Sequence, residues 1–189
     1  MFEGQGTYSD CKGSTYNGEW KQDKMHGKGV YFDAQGNTYE GYFHKGKFHG
    51  LGQHICINGD YYKGEFIHGK KHGYGKLKDV HGSIYSGEWN DNIRCGYGTY
   101  QDVLGGIYKG QYREDVRDGP GYYYWPNGNT DAIKCINDVC SGHGVRWSQD
   151  RKQAWIMIDG EFQEFVSVDE GKRITENLGL EVPKELPLL

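Results

Sequence analysis

Between Thr15 and Lys21 apolar and polar side chains alternate without a break. Tyr16, Gly18 and Trp20 fall on one side of an extended chain, and Asn17, Glu19 and Lys21 on the other. That period of two predicts a strand over 15–21. The next six residues, QDKMHG at 22–27, lack the alternation and read as a connection, after which KGVYF at 28–32 alternates again as the returning strand. Asp33 to Gly36 then supplies a turn, with glycine where a positive φ costs little. The unit predicted is a β-hairpin.

The unit recurs. Tyr16, Tyr39, Tyr62, Tyr85 and Tyr108 each open a variant of YxGEW at a constant interval of 23 residues. Glycine keeps the same phase, in one column at Gly18, Gly41, Gly64, Gly87 and Gly110 and in three others that pass through Gly27, Gly29 and Gly36. A single hairpin cannot bury its aromatic face, so successive hairpins are expected to pair edge to edge in an antiparallel meander. The fold class is therefore all-β: one elongated meander sheet, with about twelve strands at ~4.8 Å apiece giving a ribbon on the order of 55–60 Å. The YxG glycine, flanked by aromatics on its own face, is expected to leave space for a neighbouring ring.

The spacing, with YNGEWKQDKMHGKG, YKGEFIHGKKHGYG and YSGEWNDNIRCGYG, resembles the MORN (membrane occupation and recognition nexus) repeat over about residues 4–147. The resemblance implies a stand-alone array of β-hairpins. It also implies a scaffold or adaptor at cytoskeletal, ciliary or membrane-associated assemblies, of a family in which some members form elongated homodimers. Catalytic modules that accompany such repeats elsewhere, lipid kinases and SET-domain methyltransferases, find no residues left over here, so no enzyme is expected.

The pattern decays after Gly128, where the YxGEW slots become Asp131, Ile133, Lys134 and Cys135. Residues 1–147 are thus read as the repeat array and 148–189 as an extension. The extension is expected to hold strands at 153–158 and 161–166, then a capping helix from Val168 to Leu178. Ser167 and Glu170 form its capping box, Val168, Ile174 and Leu178 its apolar face, and Gly179 its stop. Leu186, Leu188 and Leu189 in the final tail are expected to dock on this cap or to meet a partner.

Composition narrows the functional classes. A net charge of −4, from 22 basic and 26 acidic residues, offers no field for nucleic acid. The opening MFEGQGTYSD lacks a basic and an apolar leader segment, and no run of about 18 apolar residues spans a bilayer. A cytoplasmic protein follows as the expectation, associated with cytoskeleton or membrane if the family resemblance holds. The five cysteines are odd in number and mostly distant, which argues for free thiols.

Chemistry is sparse. His26, His49 and His72 form a column, but equivalent residues lie two strands apart, roughly 9.5 Å, too far to share one metal. They are read as loop histidines bonded to their own hairpins. Glu19, Glu65 and Glu88 form a ladder opposite the rings, where no enclosed pocket raises a carboxyl pKa. Cys135, Cys140 and His143 supply three borderline ligands for a structural zinc, with a fourth to come from elsewhere; small buried thiols are the ordinary alternative. No other cofactor is expected, for no glycine pair opens a helix with the Lys-Ser/Thr of a phosphate loop, and no nucleophile elbow occurs.

Binding remains. The rings Tyr39, Phe43, Tyr62, Phe66, Tyr85, Trp89, Tyr108 and Tyr112 share one face and suggest an aromatic groove for a helix or extended peptide of a protein partner. The alternative is that they pack only on each other. A second reading, prompted by the name of the family, is anionic phospholipid bound along the basic edge of Lys24, Lys47, Lys70, Lys71, Arg94 and Arg117 at about 1 kcal/mol per basic residue. Negative net charge and the lack of an apolar anchor favour the protein partner.

Overall fold

The computed structural model describes residues 1–183, so the expectation for Leu186, Leu188 and Leu189 lies outside the described residues. The chain forms one open antiparallel sheet of 16 strands in meander order, with one short helix near its end. It divides into two compact units, Met1–Ile93 and Arg94 onward, a division that falls inside the repeat array.

The first unit holds β1 (Gly4–Ser9), β2 (Thr15–Lys21), β3 (Lys24–Phe32), β4 (Thr38–His44), β5 (Lys47–Ile55), β6 (Tyr61–Ile67), β7 (Lys70–Lys78) and β8 (Ile84–Asn90). β2 has the bounds its alternation predicts. The connection after it is shorter than expected: only Gln22 and Asp23 intervene before β3, both with positive φ of 51° and 59°. That is the twist-matched two-residue hairpin turn, and Asp91-Asn92 repeats it. Lys24 to Gly27 are therefore strand, hidden from pattern reading because the pairing is bulged. Gly18 faces Gly29, but Glu19 faces His26, leaving Gly27 and Lys28 as extra residues against β2.

Three groups hold the bulges of β2–β3 and β6–β7. Gly27 takes a φ of +53°, which glycine adopts at no steric cost. Glu19 Oε1 accepts the Lys28 amide at 2.9 Å, as Glu65 Oε1 accepts that of Tyr74 at 3.1 Å. The Tyr16 hydroxyl donates to the Glu19 carbonyl at 2.8 Å, and Tyr39 and Tyr62 bond likewise to the carbonyls of Tyr42 and Glu65. Backbone groups that the bulge withdraws from the ladder are thus satisfied by the Tyr and Glu of YxGEW. The longer turns between hairpins follow the predicted pattern, with Asp33 Oδ1 accepting the amides of Gln35 and Asn37.

Packing of the rings makes the core. Tyr39 meets Phe43 and Phe66 edge-on, and Tyr62 does the same with Phe66 and Trp89. Each tyrosine ring lies over the paired glycines of its own hairpin, so that a Cβ on Gly29 would come 2.5 Å from the Tyr16 ring.

The second unit continues with β9 (Ile93–Gln101), β10 (Ile107–Arg113), β11 (Val116–Tyr124), β12 (Thr130–Ile136), β13 (Val139–Cys140), β14 (His143–Trp147), β15 (Ala154–Ile158) and β16 (Glu161–Val166). Then comes α1 (Val168–Asn177), whose Ser167 cap accepts the Glu170 amide at 3.2 Å. The carboxylate of Glu170 turns to Arg173 instead of closing the other half of the box. α1 packs on β14 and β15. Val168 and Ile174 meet Val145, Trp147 and Ala154, and Gly171 sits where a Cβ would lie 2.8 Å from that of Ala154. The Trp147 indole donates to Thr175 Oγ1 at 3.2 Å, so the polar atom that Trp147 brings into this small core is partnered.

Candidate functional site

The two faces of the sheet divide the chemistry. On the ring face, Tyr39, Phe43, Tyr62, Phe66, Tyr85, Trp89, Tyr108 and Tyr112 are all between 0 and 6% exposed. Their edges are taken up by one another, so the expected aromatic groove is a core and presents no ring surface for a partner to cover. Burial pushes the hydroxyls of Tyr16 and Tyr108 up to about 12 and raises those of Tyr39 and Tyr62 as well, which leaves all four as neutral donors.

The opposite face is different. In the first unit a trough of about 640 Å³ crosses β2 to β6, and the glycines Gly18, Gly29, Gly41, Gly52 and Gly64 form its floor. One bank carries Lys28, Tyr42 and Leu51, the other Asn17, Val30, Glu40, Gln53 and Lys63. The middle residues of the GxG pairs stand on this face at the 23-residue period, and the apolar ones are bare: Leu51 is 64% exposed, Tyr74 65%. The sequence contains that column, but reading glycine only as a partner of the buried rings obscures what it leaves open behind them.

In the second unit the face opposite the rings carries the paired row Lys109, Tyr122, Ala132, Val145 and Ile156. The chain's own C-terminal segment lies on this face: α1 covers Val145, Trp147 and Ala154, the Glu181 carbonyl accepts the Tyr122 hydroxyl, and the Pro183 carbonyl accepts Arg151 Nε at 2.9 Å.

The basic edge is largely occupied. Lys70 Nζ pairs with Asp91 at 2.7 Å, Arg94 Nε with Asp115 at 3.1 Å and Arg117 Nε with Asp138 at 2.9 Å. Lys71 lies over the rings of Tyr62 and Trp89 at 5.1 and 5.0 Å. Lys24 and Lys47 are exposed. A second cavity, of about 430 Å³ in the second unit, contains Arg94 and Arg117, and three aspartates, Asp102, Asp115 and Asp138, line it with them. Its two guanidiniums are outnumbered by the three carboxylates, which removes the positive surface that phosphate requires.

Other candidates are placed as follows. Glu19 and Glu65 are the bulge clasps described above. Cys135 and Cys140 face each other across β12 and β13 and are joined as a disulfide, correcting the expectation of free thiols and withdrawing both from the zinc set with His143. Cys11, Cys56 and Cys95 take no part in a disulfide. Among the described residues no group of three or more His, Cys, Asp or Glu is arranged to hold a metal. The histidine column is strand rather than loop: His26, His49 and His72 lie in β3, β5 and β7. No helix of the described residues is long and apolar enough to cross a membrane.

No curated protein matches the chain significantly. Among solved structures, the TCP domain of SAS-4 (dCPAP) of Drosophila melanogaster, in complex with a proline-rich motif of Ana2 (dSTIL), is similar at 9% identity. The match covers 86% of this chain and 90% of that one, with a TM-score of 0.43. The TCP10 domain of Danio rerio CPAP is similar at 11% identity over 87% and 89% of the two chains, with a TM-score of 0.30. The same domain with a Danio rerio STIL peptide gives 9% identity over 88% and 96%, and 0.28. The MORN repeat model matches residues 1–15, 16–38, 39–61, 62–83, 85–103 and 108–130, well over half of the chain. With its Tyr-Gly-Glu-aromatic signature accounted for as ring, floor and bulge clasp, the chain belongs to the MORN-repeat family.

Proposed function

We propose that the protein is a non-enzymatic adaptor that binds an amphipathic helix of a protein partner in the glycine-floored trough of its first unit. The observation that supports this reading most is the pair of faces opposite the rings. In the second unit the chain lays its own helix there, with Gly171 pressed on Ala154 and Trp147; in the first unit the trough stands open with Val30, Tyr42 and Leu51 beside it. Five strands at ~4.8 Å set a length near 20 Å, which a helix of about 13 residues spans. Its apolar stripe would meet Tyr42 and Leu51, and its flanks the mixed charges Lys28, Glu40 and Lys63. The family supports the adaptor role, with a cytoskeletal, ciliary or membrane-associated assembly as its setting.

Helical peptides selected from a displayed library against the full chain test the site. Their affinity should fall at least tenfold for Leu51→Asp, a change at an exposed position that the fold accommodates, and stay within twofold for Lys24→Ala/Lys47→Ala. Peptides indifferent to Leu51→Asp and Tyr42→Ala would move binding off the trough. Sedimentation with phosphatidylserine vesicles near physiological salt, if abolished by the double lysine variant, would replace the protein partner with lipid.

A further inference from the structure

Histidines from four successive elements stand in a row in the first unit: His26 in β3, His44 at the end of β4, His49 in β5 and His68 in the turn between β6 and β7. Their ring centroids are 5.1 Å (His26 to His44), 5.4 Å (His44 to His49) and 6.0 Å (His49 to His68) apart. The repeat column alone puts histidines two strands apart. His44 and His68, which belong to no column, fall into the gaps and halve the spacing.

That halved spacing is common for packed rings, and it is also one that a shared metal ion can hold. A zinc–nitrogen bond of about 2.05 Å, plus about 1.1 Å from nitrogen to ring centre, puts each imidazole centroid about 3.2 Å from the ion, so two on a tetrahedral ion lie about 5.2 Å apart. The first two steps of the row match this value, and the third corresponds to a wider angle. A second observation concerns the nitrogens themselves: Nδ1 of His49 is buried without a hydrogen-bond partner, as is that of His72 one repeat further on, a position that ordinary buried imidazoles rarely occupy.

We propose that this row binds divalent transition-metal ions that favour imidazole, with zinc as the representative, each ion held by two neighbouring histidines and completed by water. Because no three donors are gathered to hold one ion, each site is a pair. The row accommodates two ions at most, one on His26 and His44 and one on His49 and His68. Each ion ties together two successive hairpins, a cross-link that the disulfide between Cys135 and Cys140 does not provide.

The test is isothermal titration of the full chain with zinc chloride at pH 7.5, after alkylation of the accessible thiols, with imidazole ¹⁵N shifts followed by NMR. The wild type should take up two more ions than His44→Gln/His49→Gln, and each single variant one fewer than the wild type. His54→Gln and His143→Gln, outside the row, should leave the count unchanged, and uptake by the row should disappear at pH 5.5. A double variant that binds as many ions as the wild type overturns the proposal. So does a control variant that loses as many ions as a row variant, or zinc that shifts no ¹⁵N signal of the row.

Discussion

Gly64→Ala probes the packing on which every repeat depends. A Cβ built at this position lies 2.5 Å from Gly75 Cα, 2.6 Å from the Tyr62 hydroxyl oxygen and 2.7 Å from the Tyr74 carbonyl oxygen. Carbon atoms prefer ~3.5 Å or more, so the overlap approaches 1 Å, and two of the three atoms belong to backbone that cannot swing aside. Either β6 and β7 separate locally, or Tyr62, 1% exposed and bonded to the Glu65 carbonyl, leaves its place. Overpacking of this kind costs up to about 3 kcal/mol. Losing glycine's extra freedom in the unfolded chain offsets about 0.5–1 kcal/mol of that. The net of about 2–2.5 kcal/mol corresponds to a drop in Tm of roughly 4–10 °C for a chain of this size. Calorimetry on Gly64→Ala beside Gly46→Asn isolates the cause, since Gly46 has a φ of +81° but nothing within 4 Å of its Cβ position, and asparagine tolerates that backbone. Adding Tyr62→Phe to Gly64→Ala removes one colliding atom, so the double variant should lose less than the sum of the singles. A Gly64→Ala protein melting within 2 °C of the wild type would refute the account of glycine as the floor beneath the rings.

Two further outcomes follow from the polar groups. Asp131 is 5% exposed and accepts Arg146 Nε and Nη2 at 2.6 and 2.7 Å and the Trp125 indole at 2.7 Å. Asp131→Ala strands those donors and should cost about 3 kcal/mol, the lower end for a broken buried pair because Arg146 keeps some solvent contact. A calorimetric Tm unchanged by this substitution would remove the pair from the account of the second unit. In metal-free protein, stability should decline from pH 7.5 to 5.5. The folded state depresses the His44 pKa, so its contribution is complete above the ordinary 6.5 and is lost as pH falls through the lower folded value. Burial depresses it first, and then the charges of His26, Lys45, His49 and His68. His44→Gln should melt with a shallower pH dependence than the wild type, and an identical decline in both would exclude the row as its source.

What the sequence disclosed and what it concealed have separate physical causes. Strand β2, the Asp33 turn, β16 and the Ser167 cap were legible because each rests on a local rule of alternation or side-chain capping. β3 was not, because a bulge breaks the period of two at Gly27 while the pairing persists on both sides. The same bulge hid the work of Glu19, whose carboxylate looks solvated until the unpaired Lys28 amide is seen beneath it. The Cys135–Cys140 pair was likewise concealed by a two-residue strand, β13, too short to show any pattern.

The open surfaces escape pattern reading for a related reason: repeats draw attention to columns, and these surfaces lie between columns or behind them. Glycine pairs are conspicuous as companions of the tyrosines, yet a residue without a side chain acts on both faces. Beneath Tyr39 it admits a ring, and behind it leaves bare backbone as the floor of a trough. The burial that disqualifies the rings as a partner surface is therefore what makes the reverse face available. The packing that holds Tyr39 and Tyr62 at 0 and 1% exposure fixes the spacing of Tyr42, Leu51 and Lys63 above the glycines. A partner helix would meet a surface whose rigidity comes from side chains it never touches. On that view substitutions at Tyr62 and at Leu51 should weaken binding by distinguishable routes, Tyr62→Ala together with a lowered Tm and Leu51→Asp without one. Parallel losses of binding and stability in both variants would mean that the trough is merely another part of the core.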